Sequence, residues 1–295
     1  MKRLLIVGCG YVGLRVARRA VQSGQQVFAL TRGRARFDEL RMVGVEPIDG
    51  HWLDHNQLQG LPRVEQVLVA VPHRADELGS APPATDEAFS VATHARGLKH
   101  LLTALPPTWS KLCYLSTTGV YGCDSQTWVD ESTPVSPKRI GPQIAVAAEH
   151  WLEQQLAPER FTVLRLAGIY GPGRIPLADK LRRGEPLEVP RQGYVNLVHV
   201  EDIARMIEIV LSRQLERLQY IFSDGCPVLR EVLYRRMAEL CGVHEPSFVE
   251  PAASDSKARR ATDKRVSPAR LVQETGYEYQ FPDTRSGLVD ALGRR

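Results

Sequence analysis

The chain has 295 residues, 43% hydrophobic and 24% charged, with a formal net charge of +4. That profile excludes a disordered chain, and so small and evenly spread a positive excess gives no basis for a nucleic-acid partner. The five cysteines (Cys9, Cys113, Cys123, Cys226, Cys241) form no CxxC pair or metal-like cluster with histidine, no apolar stretch is long enough to cross a bilayer, and the apolar run after Met1-Lys2-Arg3 is too short for a secretion signal, so a cytoplasmic protein without a membrane partner is expected.

In chain order, residues 4–7 read as a strand, 11–23 as a helix and 26–30 as a second strand. A third strand is expected near 45–48 and a fourth over 67–71, nearly all aliphatic, as a strand covered on both faces should be. Residues 87–105 read as a helix and 111–116 as a fifth strand. Beyond them come a helix at 143–155, a strand at 161–166, a helix at 201–212, a strand at 219–222 and a helix at 229–241. This alternation predicts an α/β fold, a Rossmann-type doubly wound parallel sheet with crossover helices on both faces. Residues 173–195 and the tail after Gly242 are rich in Pro, Gly and charge. They predict a smaller C-terminal substrate-side lobe, so the expected division is a dinucleotide-binding core over 1–172 and, over 173–295, the interleaved remainder of the core with that lobe. The densest basic stretch, Lys257, Arg260, Lys264 and Arg265, reads as a solvated loop or a surface for ligand phosphates.

Gly8-Cys9-Gly10-Tyr11-Val12-Gly13 follows the first strand and opens the first helix. The first glycine allows the tight turn, the second lets backbone approach a pyrophosphate, and the third permits close helix–sheet packing. Free N–H groups and the helix dipole then favour an anion at the helix start. Gly8, Gly10, Tyr11, Val12 and Gly13 are therefore expected cofactor contacts, with Val71 a further one at the end of the fourth strand.

The end of the second strand selects the dinucleotide. An acidic residue there would bond a ribose 2′-hydroxyl, but the sequence offers Thr31-Arg32-Gly33-Arg34, with no acid before Asp38. A guanidinium binds a 2′-phosphate in a forked, charge-assisted geometry. Arg32, with Thr31 and Arg34, thus favours NADP(H) over NAD(H), which stays open. Asp54, after the third strand, reads either as an acceptor for an adenine amino group or as a surface aspartate in a turn.

From the fifth strand onward the sequence resembles a known family. Tyr114-Leu115-Ser116-Thr117-Thr118-Gly119-Val120-Tyr121-Gly122 and Asp130-Glu131-Ser132-Thr133-Pro134 carry the likeness, as do Leu164-Arg165-Leu166-Ala167-Gly168-Ile169-Tyr170-Gly171-Pro172-Gly173 and Val198-His199-Val200-Glu201-Asp202-Ile203-Ala204. Together they resemble the extended short-chain dehydrogenase/reductase superfamily, the NAD-dependent epimerase/dehydratase group. The resemblance implies a substrate cleft beside the nicotinamide and places Thr117 where the family hydrogen-bonds the reacting oxygen. It also implies a Tyr-x-x-x-Lys pair on the next helix, falling at Gly141 and Ala145. No tyrosine stands between Tyr121 and Tyr170, and Lys138 is the one lysine in that stretch, so the chain looks like an atypical member lacking the pair. The small residues there are expected to leave room in the cleft.

A replacement acid/base would have to come from nearby strand ends, with Tyr121 and His73 as candidates. His73 reads alternatively as an exposed loop histidine, and Tyr121 as a packing or substrate-binding residue. Arg165, Asn196 and His199 lie in segments the family sets around its cleft. Arg165 suits an anionic substrate or, equally, a buried tie between strand and loops. The function expected is an NADP(H)-binding oxidoreductase or epimerase-like protein acting on a small carbonyl or sugar-like substrate; a non-catalytic NADP(H)-binding regulator is the alternative. The fold type also admits a homodimer paired through helices of the main sheet.

Overall fold

The computed structural model describes residues 1–73, 92–123, 126–250 and 263–293. Residues 87–91 of the expected helix, and Lys257 and Arg260, lie outside them. The chain begins with β1 (Arg3–Val7), α1 (Tyr11–Gln22), β2 (Gln26–Thr31), α2 (Phe37–Met42) and β3 (Val45–Asp49). It continues through β4 (Gln66–Val69), α3 (Thr93–Ala104), β5 (Lys111–Thr117), β6 (Trp128–Val129), α4 (Ile140–Gln155), β7 (Phe161–Leu166) and β8 (Gly168–Tyr170). Then come α5 (Ala178–Arg182), β9 (Tyr194–Val195), β10 (Leu197–His199), α6 (Val200–Ser212), β11 (Gln219–Phe222), β12 (Val228–Leu229) and α7 (Arg230–Cys241). The last elements are β13 (Arg265–Val266), α8 (Ala269–Thr275) and α9 (Thr284–Ala291).

Seven strands form one sheet in the order β11-β7-β5-β4-β1-β2-β3, and β3, β2, β1, β4 and β5 pair in parallel. Strand order reverses at β1, which lies between β4 and β2, so the turn after β1 opens at the topological switch point where such sheets bind ligands. β4 and β7 are buried along their whole lengths, as strands with both faces covered must be. α1 buries Gly13, Val16, Ala17 and Ala20, one helical stripe.

Two bounds differ from the sequence reading by two residues or more among the elements that position the site. β4 ends at Val69, two residues early, and leaves Ala70 to His73 as an irregular strand end. α4 begins at Ile140, with Gly141 and Pro142 in its first turn, where proline's missing N–H costs nothing. α2, α5, α8, α9 and the strands of two or three residues were not expected from sequence; elements that short carry no readable period.

The fold divides into two compact units. The first comprises Met1–Val120, Pro137–Arg165 and Ile203–Tyr220. Its core joins Leu5, Val7, Leu30, Val67, Val69, Leu98, Leu112, Tyr114, Leu152 and Val163. The second comprises Tyr121–Ser136, Leu166–Asp202 and Ile221–Arg295, around Tyr170, Leu181, Leu197, Leu233, Met237 and Leu288. Its small sheets are β8 with β10, β9 with β12 and β6 with β13. Among the described residues no helix is long and apolar enough to cross a membrane, and no group of His, Cys, Asp and Glu could hold a metal ion.

Candidate functional site

The turn after β1 is set by steric exclusion on one side and open space on the other. Gly8 has φ +87°, and a Cβ there would lie 2.9 Å from the Ala70 carbonyl, so only glycine suits it. A Cβ on Gly13 would meet the Gly8 carbonyl oxygen at 2.8 Å. Gly10 is the contrast: nothing lies within 4 Å of where its Cβ would stand. It is also the N-cap of α1, with no side-chain cap and no acidic residue in the first turn. Tyr11 and Val12 follow as the first helical residues, so a helix start with a positive dipole end faces an unfilled cradle. This is the arrangement a pyrophosphate requires.

Beside the turn, the loop after β2 carries Arg32, Arg34 and Arg36 in alternation. Arg36 donates to the Cys9 carbonyl at 2.7 Å and pairs with Glu39 at 2.7 Å, tying the loop to the glycine turn. Cys9 itself is buried, and burial pushes its thiol up to about 12, which keeps it neutral. Arg34 pairs with Asp49 at 3.1 Å, and Asp49 also accepts from the Gly33 N–H at 2.9 Å. Thr31 Oγ1 donates to the Gly33 carbonyl at 3.2 Å. Arg32 is exposed. The sequence reading missed Asp49 and Arg36: both reach the loop through strand register and turn geometry, since Thr31 pairs with Asp49 across β2 and β3. Asp54 caps a single turn of 3-10 helix, accepting from Asn56 N at 3.0 Å and from Gln57 Nε2 at 2.8 Å, as a turn aspartate does.

The stretch after β4, the middle of β5 and the start of α3 bring three ring side chains together. His73 Nε2 lies 3.0 Å from the Tyr114 hydroxyl, which is 2.9 Å from His94 Nδ1. His94 Nε2 is 3.1 Å from the Pro72 carbonyl. The two imidazoles stack at 4.7 Å, and Trp52 meets His94 edge-on. His73 is half-buried and built into this stack, not an exposed loop histidine. Burial lowers both imidazoles, His94 to about 4 and His73 well below its ordinary value with help from His94, so both are neutral near pH 7.

Thr117 ends β5 half-buried, its Oγ1 accepting from the Gly119 N–H at 3.0 Å. Val71 is half-buried beyond β4. α4 contains neither tyrosine nor lysine. At Gly141 the expected room is absent, because a Cβ there would meet the His73 carbonyl oxygen at 2.9 Å. The space is filled by the end of β4. Behind the site, Arg165 and Glu149 form a buried pair at 2.6 Å, and Glu149 accepts a short hydrogen bond from Ser116. The Arg165 guanidinium is committed to a protein carboxylate.

The remaining candidates belong to the second unit. Tyr121 is fully buried, and its carbonyl accepts from Lys264 Nζ at 2.6 Å. Lys264 is thus buried rather than part of a solvated basic loop. Asn196 donates to the Lys264 carbonyl and accepts from Val266 N, each at 2.8 Å, pinning β13. His199 is buried beside Tyr170 and Phe281, with Nε2 3.3 Å from Asp290.

A parallel sheet with the 3-2-1-4-5 order, a glycine turn at its switch point and an open helix start define a dinucleotide-binding Rossmann protein. Residues 4–220 match the NAD dependent epimerase/dehydratase family, and the chain belongs to it, which makes a nicotinamide dinucleotide its cofactor class. It is 30% identical over 293 residues to Protein YeeZ of Escherichia coli K12, covering 96% of this chain and 97% of that one. A functionally unknown conserved protein from Silicibacter pomeroyi is similar in structure, at a TM-score of 0.75 and 26% identity over 98% of this chain and 97% of that one. The UDP-glucose 4-epimerase of Thermotoga maritima shares the fold, at a TM-score of 0.81 and 18% identity over 99% of this chain and 97% of that one.

Proposed function

We propose that the chain is an NADP(H)-dependent oxidoreductase or epimerase-like enzyme that acts on a small carbonyl or sugar-like molecule with a non-standard acid/base. The observation that carries the reading is the pairing of an open cradle at Gly10 with the exposed Arg32 beside it. Gly8, Gly10 and Gly13 with the N–H groups of Tyr11 and Val12 hold the pyrophosphate. Arg32 binds the 2′-phosphate, with Thr31 and Arg34 at the same loop, while Asp49 is already engaged by Arg34 and the Gly33 N–H. That engagement blunts the carboxylate that would otherwise disfavour a 2′-phosphate. Val71 lines the nicotinamide side. The cofactor, when bound, supplies hydride transfer. Thr117 hydrogen-bonds the reacting oxygen of the substrate.

The sugar-like substrate class draws support from fold relatives such as the epimerase crystallised with UDP-glucose. The absence of tyrosine and lysine from α4 favours a second reading, a non-catalytic NADP(H)-binding regulator. Oxidation of NADPH across a panel of aldehydes, ketones and nucleotide-linked ketosugars separates the two. Substrate-dependent oxidation supports the enzyme. Tight NADPH binding with no oxidation across the panel favours the regulator.

A further inference from the structure

The hydrogen-bond chain joining the stretch after β4, the middle of β5 and the start of α3 has one self-consistent direction. The Pro72 carbonyl carries no proton, so His94 Nε2 must donate to it across 3.1 Å. His94, neutral, then has an unprotonated Nδ1, which accepts from the Tyr114 hydroxyl at 2.9 Å. Tyr114 has a single proton to give, so its oxygen accepts from His73 Nε2 at 3.0 Å. The end result is fixed by a backbone group: His73 is an Nε2–H tautomer with a lone pair at Nδ1, and Nδ1 makes no hydrogen bond among the described residues. The protonation states follow from this network.

We propose that His73 is the acid/base of this site and that Tyr114 and His94 form the proton relay behind it; the inference rests on the oxidoreductase reading above. A bound oxidised nicotinamide would take up hydride from the substrate carbon; in that direction the substrate's hydroxyl proton moves to His73 Nδ1 as the carbonyl forms. The His73 Nε2 proton passes to the Tyr114 oxygen while the Tyr114 proton passes to His94 Nδ1. The positive charge then lies on His94, whose Nε2–H is held by the Pro72 carbonyl; because burial disfavours that charged imidazole, the state is transient and the proton must leave it before the next turnover. Reduction runs the same transfers backward. Two further contacts suit the chain to this role. Trp52, meeting His94 edge-on at 4.8 Å, and the His73–His94 stack at 4.7 Å hold both rings in place. Gly141 admits the His73 backbone, since any side chain there would meet its carbonyl at 2.9 Å. A helix without a side chain at that position and a histidine at the strand end are therefore one coupled arrangement.

The test uses the full chain and two readouts. Nitrogen-15 NMR of histidine-labelled protein at pH 7.5 should show His73 and His94 as neutral Nε2–H tautomers, and Tyr114→Phe should shift the His94 Nδ1 resonance by removing its donor. With NADPH and the carbonyl panel, His73→Gln should keep cofactor binding and lose roughly 10²–10⁴-fold in kcat, the contribution of a positioned acid/base. Tyr114→Phe should lose less. An Nδ1–H or charged His73, or a His73→Gln variant with wild-type kcat, overturns the proposal. Wild-type protein that binds NADPH but oxidises none of it with any carbonyl overturns the catalytic role together with the oxidoreductase reading. The tautomer spectrum then distinguishes that failure from an error in the chain of hydrogen bonds.

Discussion

In the first unit, Glu149 is almost wholly buried, and its two oxygens accept from both Arg165 and Ser116. In the second unit, Asp224 is 5% exposed, yet its Oδ2 has no hydrogen-bond partner among the described residues. Its neighbour Asp202 shows that the second unit does satisfy a buried carboxylate elsewhere, accepting from Tyr277, Gln280 and Phe281 at 2.7 to 2.9 Å. The difference lies in what the charge is worth to the fold. Arg165 supplies Glu149 with a counter-charge through two of its nitrogens, whereas burial with neither a cation nor a full set of donors disfavours the charged form of a carboxylate. Burial, with Asp283 and Asp202 nearby, pushes Asp224 up to about 7.

The most direct way to break this contrast is Glu149→Gln. It leaves the Arg165 guanidinium buried without a counter-charge and should cost on the order of 3–5 kcal/mol in urea unfolding. A loss under about 1 kcal/mol would mean that the pair does not carry charge compensation.

Asp224→Asn should do the reverse. The folded carboxyl binds its proton more tightly than the unfolded one, so the wild-type protein loses stability as pH rises from about 4 to about 7. The variant is therefore expected to be more stable than wild type at pH 8, by on the order of 2 kcal/mol, and close to it at pH 5. A variant destabilised equally at both pH values would contradict the assignment. His94 of the first unit acts with the opposite sign. His94 is lowered to about 4, so the stability it contributes is present above about 6.5 and is lost as pH falls toward 4. A smaller effect sharpens the same comparison at the surface: Asp54→Ala removes the cap of a surface turn and should cost about 1 kcal/mol or less in urea unfolding.

Much of the first unit was legible because its signals are local. Gly8, Gly10 and Gly13 sit within one turn, and the aliphatic runs of β1, β4 and β7 declare strands covered on both faces. What could not be read depends on pairing across distance. Arg34 meets Asp49 fifteen residues on, and Arg36 reaches back twenty-seven residues to Cys9. The His73, Tyr114 and His94 cluster joins the end of β4, the middle of β5 and the start of α3, so no single stretch of sequence displays it. Lys264 was misread for a related reason. In sequence it closes a basic run, whereas in the fold its ammonium is buried on the Tyr121 carbonyl. The second unit's strands of two or three residues are too short for any hydrophobic period to mark them.

Titration of the protein with NADPH and with NADH, followed by cofactor fluorescence and repeated on Arg32→Ala and Gly10→Ala, tests the central claim most directly. Saturable NADPH binding is expected, with NADH at least tenfold weaker. Arg32→Ala should erase most of that difference. Gly10→Ala should weaken both cofactors without unfolding the protein, because its methyl group enters the open cradle and touches nothing else. Equal affinity for the two cofactors in wild type would contradict the NADP(H) assignment, and failure to bind either would contradict the site itself.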